Sequence, residues 1–321
     1  MKKQISLLFV FILLLTGCSK QPLKDSFFKT ANTLDSYKMI QSQETKGISN
    51  DLAVIEKDDI TPTTFQATAK GMLLVNETKN EYLVAKQPFK KIYPASLTKV
   101  LTAYVVMKYG NLEDEVTIKS DITFNEEDVK VCFLQKGDKV SVETLLHGLL
   151  IASENDCAVA LARYISGNQN KFVALMNQEA KLLGATNSHF MNPHGLHNKN
   201  HYTTPYDLYL IFHAASQYEI FNEIIQKPTY TMVYKNAFGQ RVTFDLENTN
   251  QYINKDAKLT QPNLVTVLGG KTGTTENSGS SLILLSKSKT DTYISVVTNE
   301  EDKEHLYQTM TQLLNEVTIE D

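Results

Sequence analysis

The chain has 321 residues, is 42% hydrophobic and 21% charged, and carries a formal net charge of -4. That balance is the one expected of a soluble globular protein long enough to bury a large core, and it excludes disorder over most of the length. No basic stripe with interleaved aromatics is present, which excludes nucleic acid as a partner on electrostatic grounds.

The first residues, MKKQISLLFVFILLLTGCSK, place Lys2 and Lys3 before an apolar stretch from Ile5 to Leu15 and small residues before Cys18. This is the layout of a secretory signal, and the stretch is short for a membrane span. Leu15-Thr16-Gly17-Cys18 resembles the lipobox of bacterial lipoproteins. That implies a signal peptide over residues 1–17, cleavage before Cys18, lipidation of its sulfur and a protein lipid-anchored to the outer face of the cell membrane. An ordinary cleaved signal and an uncleaved anchor are the alternatives, and each also puts the domain outside the cytoplasm. Of the other cysteines, Cys132 and Cys157 lie in apolar contexts, where a buried free thiol is the expected state.

Residues 18–60 are polar and lack a steady apolar period, and are expected to be a tether. A globular domain over 61–321 then opens with AKGMLLVNETKNEYLVAK, two apolar runs about a polar turn at 76–80, which predicts a hairpin. Next, PASLTKVLTAYVVMKYG predicts a helix apolar around most of its circumference, hence a buried one. Between about 120 and 225 the pattern is mostly helical: VSVETLLHGLLIAS with Ser141 as cap, NDCAVALARYIS after a break, NQNKFVALMNQEAKLLG stopped by Gly184, and TTPYDLYLIFHAAS with Thr204 as cap, Pro205 in the first helical position and Asp207 in a capping-box position. TYTMVY, LVTVLGGKTGTT, SLILLS and TYISVVT read as strands, and DKEHLYQTMTQLLNEV closes as an amphipathic helix. Strands at both ends of a helical middle predict an α+β fold.

A serine three residues before a lysine occurs three times: Ser26 with Lys29, Ser96 with Lys99, and Ser286 with Lys289. The first pair falls in the expected tether and the third in a polar segment after a strand, so both read as solvated surface. Ser96 and Lys99 share one face of a buried helix. A serine hydroxyl needs a base before it becomes a strong nucleophile, and a lysine is that base only when burial or a neighbouring cation lowers its pKa. On this helix alone a capping serine and a lysine snorkelling to solvent remain equally open.

Two further motifs change the reading. Ser153-Glu154-Asn155 sits in a break between helices and Lys271-Thr272-Gly273-Thr274 on a strand, and the ordered set Ser-x-x-Lys, Ser-x-Asn, Lys-Thr-Gly marks serine β-lactamases and penicillin-binding proteins. With YPASLTKVLTA, LLHGLLIASENDCAVALARYI and NSHFMNPHGLHNKNHYTTPYDL around them, the chain from about Ala69 to Val317 resembles the low-molecular-mass D-alanyl-D-alanine carboxypeptidases. The resemblance implies a serine β-lactamase/DD-peptidase-like fold, an antiparallel sheet flanked by helices plus a mostly helical subdomain. It implies that Ser96 attacks the carbonyl between the terminal D-alanines of a peptidoglycan stem peptide, with Lys99 taking its proton and Ser153 relaying one to the leaving amine. Lys271, Thr272, Gly273 and Thr274 would bind the substrate carboxylate and backbone, Asn155 the substrate amide, and the N–H groups of Ser96 and Thr274 the oxyanion. β-Lactams are the expected acylating inhibitors. No cofactor and no metal is expected.

Ser166-Gly167-Asn168 is a second Ser-x-Asn, but it ends one helix and starts the next, so Ser153 and Asn155 are preferred. His194 in NPHGL reads as part of a turn rather than a general base, and His194, His197 and His201 lack the spacing of a metal set. Many relatives carry an arginine near the last strand; the only arginines here are Arg163 and Arg241. Some also continue into a C-terminal β domain and membrane helix, which are not expected here. The competing functions are a β-lactamase of the same fold, a catalytically weak wall-sensing protein, and a muropeptide endopeptidase.

Overall fold

The structure is a computed structural model, and it describes residues 52–55, 61, 63–127, 129–254 and 259–318. The expected signal peptide, Cys18, Ser26 and Lys29 lie outside these residues. No described helix is long and apolar enough to cross a membrane.

The first two strands, β1 (Gly71–Asn76) and β2 (Glu81–Lys86), form the expected hairpin, with Asn80 at a positive φ of 55° in the turn. After it come β3 (Glu115–Thr117), β4 (Lys139–Ser141), β5 (Thr229–Lys235), β6 (Arg241–Glu247), β7 (Thr266–Thr275), β8 (Gly279–Lys287) and β9 (Thr292–Glu300). Strands β2, β1, β9, β8 and β7 form an antiparallel five-stranded sheet in that order, so β7 is an edge. The short β3 and β4, with β5 and β6, form a second sheet that the sequence reading did not anticipate.

The helices are α1 (Thr98–Tyr109), α2 (Val142–His147), α3 (Asn155–Ser166), α4 (Gln169–Leu182), α5 (Pro205–Ser216), α6 (Glu219–Ile225) and α7 (Lys303–Leu314). Side-chain caps set several starts: Ser141 accepts from the Thr144 N–H, Thr204 from Asp207 and Asp302 from His305. Asn168 caps α4 and Gly167 ends α3 in the left-handed region, which accounts for Ser166-Gly167-Asn168 as helix punctuation. The capping box expected at Asp207 does not close. Its carboxylate accepts instead from the Asn187 N–H and the Ser188 hydroxyl, tying down the preceding loop.

The five-stranded sheet is apolar on both faces because both are covered. Met72, Leu74, Leu282, Leu284 and Val297 pack with Leu306, Met310 and Leu313 of α7, whereas Leu73, Val75, Ile283, Leu285 and Val296 join the larger core under α1 and α5. Residues Thr98–Val106 of α1 are all buried, which makes α1 the central post of the helical region.

Two boundaries differ from expectation. Ala53 and Ile55, placed in the tether, are buried, and Ala53 receives a hydrogen bond from Tyr206 Oη while donating one to Tyr209 Oη. An Ala-Val-Ile run is too short to show periodicity, yet two of its side chains complete the core. Ser286 is not solvated surface: β8 extends to residue 287, so Ser286 is buried while Lys289 is exposed.

Candidate active site

The turn Ala95–Leu97 leads directly into α1, so Ser96 stands at the head of a buried helix with Lys99 one turn on. Ala95 has a φ of 48°, and Gly195 lies against it: a Cβ on Gly195 would fall 1.9 Å from the Ala95 carbonyl oxygen. Only a glycine lets the two backbones meet there.

Lys99 is fully buried and its Nζ has three partners: Ser96 Oγ at 3.0 Å, Asn155 Oδ1 at 2.8 Å and the His194 carbonyl at 2.7 Å. The amide orientation of Asn155 follows from its other contact, in which Nδ2 donates to the Lys130 carbonyl at 3.1 Å. Loss of hydration lowers the Lys99 pKa to about 7; Glu154 opposes this and Lys130 reinforces it. A neutral amine has two N–H bonds and one lone pair. The Asn155 and His194 oxygens accept only, so the lone pair is left for the one partner that can donate, the Ser96 hydroxyl.

Ser153 and Asn155 owe their positions to a backbone irregularity. After α2 the chain widens into a π turn, Gly148–Ala152, and Ser153 leaves it in the left-handed region with a φ of 71°. The Ser153 and Glu154 N–H groups both donate to the Gly148 carbonyl. Asn155 then starts α3, and its N–H as well as its side chain donates to the Lys130 carbonyl.

Lys271, 1% exposed on β7, donates to Ser153 Oγ at 3.0 Å and to the Thr272 carbonyl at 3.0 Å. Burial, with Lys99 and Lys130 nearby, holds its pKa well below the usual lysine range. Gly273 brings β7 against the Ser96 turn, since a Cβ there would lie 2.9 Å from the Pro94 carbonyl oxygen. Thr272 Oγ1 meets Thr249 Oγ1 at 2.6 Å, and Thr274 is exposed. Ser96, Ser153, Asn155, Thr272 and Thr274 all line one cleft of about 590 Å³. Lys99 and Lys271 lie immediately beneath it.

Several participants escaped sequence reasoning. His194 contributes its backbone carbonyl to Lys99, while its imidazole is held to a pKa of about 3, mainly by burial, and is therefore neutral. The Pro193 carbonyl accepts from Thr102, so NPHG anchors α1 at two points. Lys130 orients Asn155 through its carbonyl, and no local pattern marks such a residue. Glu154 is buried with its carboxyl pushed up to about 7, first by burial and then by Asp156. Lys303 also lines the cleft, whereas Arg163 binds the carbonyls of Ser120 and Asp121 and Arg241 lies on β6. His201 bonds to Thr98 Oγ1 at 2.9 Å.

The sequence profile of the peptidase family S11, D-alanyl-D-alanine carboxypeptidase, matches residues 57–302. Among curated relatives, D-alanyl-D-alanine carboxypeptidase DacF of Bacillus subtilis is 30% identical over 191 residues, covering 58% of this chain and 47% of its own. D-alanyl-D-alanine carboxypeptidase DacC of Escherichia coli is 34% identical over 224 residues, covering 67% and 52%. The chain spans about half the length of these relatives. The crystal structure of the Streptomyces K15 DD-transpeptidase superimposes with a TM-score of 0.69 at 26% identity, covering 79% of this chain and 98% of that one.

Proposed function

We propose a function from one premise: the chain belongs to the D-alanyl-D-alanine carboxypeptidase family. It acts as a serine-type D-Ala-D-Ala carboxypeptidase. Ser96 Oγ attacks the carbonyl of the penultimate D-alanine as Lys99 Nζ takes the hydroxyl proton. The peptide bond breaks, the proton passes to the departing D-alanine amine through Ser153, and water then hydrolyses the acyl-enzyme. The observation that carries this reading is the buried amine at Lys99, within hydrogen-bond distance of the Ser96 hydroxyl and of two carbonyl oxygens that can only accept.

The remaining roles follow from placement. As an edge strand, β7 offers unpaired backbone groups to an extended peptide. The Thr272 and Thr274 hydroxyls and Lys271 attract the terminal carboxylate, with Lys303 as a further cation in the cleft. The N–H groups of Ser96 and Thr274 bind the oxyanion. Penicillins acylate the same serine.

The test is D-alanine release from a pentapeptide ending in D-Ala-D-Ala, with Ser96→Ala as control. Release by the wild type alone supports the assignment. Stable penicillin labelling without release refutes it in favour of a binding role, and rapid penicillin turnover refutes it in favour of a β-lactamase. We infer in addition that Cys18 carries a lipid that holds the domain at the outer face of the cell membrane. Mass spectrometry of the mature N-terminus decides this, and an unmodified or uncleaved Cys18 refutes it.

A further inference from the structure

Beside the cleft, the segment 129–134 runs along the start of α3 and is joined to it by paired contacts. The Lys130 carbonyl receives both Asn155 donors, and the Asp156 carboxylate receives the N–H groups of Cys132 and Leu134. Two residues beyond Lys130 and two beyond Asn155 stand Cys132 and Cys157, both buried, with their sulfurs 3.5 Å apart. The cysteines thus form a second rung parallel to the one that orients Asn155. Gly148 makes room for it, because a Cβ there would lie 2.6 Å from the Cys157 sulfur. A cleft of about 400 Å³, lined by Val129, Val131, Phe133, Leu134 and Asp156, gives small molecules access to the segment.

We propose that Cys132 and Cys157 are a disulfide-forming site, and that closing the bond slows acylation at Ser96 by displacing the Lys130 carbonyl from Asn155. The oxidant is a low-molecular-mass disulfide. The Cys132 thiolate attacks one of its sulfurs, forming a mixed disulfide and expelling a thiolate. Cys157 then attacks the Cys132 sulfur and expels the second. Two protein thiols are oxidised, one external disulfide is reduced to two thiols, and the two cysteine protons pass to those products. Burial raises the pKa of Cys157 well above the ordinary thiol value and that of Cys132 also stands raised, so exchange is slow without an opening of the segment.

A covalent bond requires the sulfurs to approach to about 2.05 Å. That closure falls two residues from Lys130 and from Asn155, whose Oδ1 holds Lys99. Displacements of this size at positioning groups cost rates by factors of ten or more.

The experiment treats the reduced full chain with oxidised glutathione, then denatures, alkylates and maps the peptides. A cross-linked pair containing Cys132 and Cys157 is expected. Labelling of Ser96 by a fluorescent penicillin should slow on the order of tenfold, recover with dithiothreitol, and be indifferent to oxidant in Cys157→Ser. Alkylation of both cysteines after oxidant, separate glutathione adducts on each, or one bound zinc per chain shielding both thiols would overturn the site. A cross-link with unchanged labelling overturns the coupling. The peptide map does not depend on the role proposed for Ser96, so failure of reduced protein to label counts against that role alone.

Discussion

Replacing Lys99 by arginine keeps a cation at the head of α1 but removes the only form of it that can act as a base. The Lys99 pKa lies at about 7, against an ordinary 10.5, a displacement of 3.5. At pH 7 about half of Lys99 is therefore neutral, whereas an unperturbed lysine would be neutral in roughly three molecules in ten thousand. The site holds the reactive form some thousandfold more populated, equivalent to about 5 kcal/mol. Acylation by a fluorescent penicillin, followed by stopped flow from pH 5 to 9, should fall tenfold per unit below pH 7 and level off above it. Lys99→Arg should lose at least three orders of magnitude and show no limb, because guanidinium stays protonated. A wild-type rate flat from pH 5.5 to 8.5, or an arginine variant within tenfold of it, would refute the assignment of Lys99 as the base.

Asn155→Asp places a carboxylate where Oδ1 now lies 2.8 Å from Lys99 Nζ, so the acid limb should move to higher pH and acylation at pH 7 should fall more than tenfold; stopped-flow profiles check both. Gly195→Ala forces a Cβ into the Ala95 carbonyl and departs from a φ of 93°, so urea unfolding should show a loss of about 1–3 kcal/mol and penicillin labelling should slow. Stability should rise from pH 7 towards pH 9.5, because Lys99, with its folded pKa lowered to about 7, binds fewer protons folded than unfolded across that window, and the lowered pKa of Lys271 acts in the same direction. Between about pH 4.5 and 7 Glu154 acts oppositely: its raised folded pKa means that stability is lost as pH rises through that window. Denaturant midpoints measured across pH 5–9.5 check both slopes.

The parts of the site legible in the sequence are side chains whose chemistry is tied to local spacing. Ser96 and Lys99 share a helix face, and Lys271 follows a run of strand formers. What stayed hidden acts through the backbone or across the chain. The carbonyls of Lys130 and His194 carry no residue code, and their partners lie 25 and 95 positions away. The fold shows the same division. The hairpin, the buried α1 and α7 follow from periodicity, but β3 and β4 are three residues each and give none to count. In β6 the alternation of Val242, Phe244 and Leu246 with polar residues is the pattern of a half-buried strand and was legible. Ala53 was invisible because its partners are Tyr206 and Tyr209, more than 150 residues on.

The π turn at Gly148–Ala152 has a bearing on how such genes decay. Loss of a single in-frame codon within it would let the turn relax to an ordinary α-helix. The Gly148 carbonyl that receives both the Ser153 and Glu154 N–H groups would then bond within the helix, and the left-handed exit that aims Ser153 and Asn155 at their lysines would be lost. All three sequence signatures would survive intact, so a motif search would still score the descendant as an enzyme. Counting the residues between Ser141 and Ser153 in homologous genes is therefore a sharper test of retained chemistry than finding the signatures themselves.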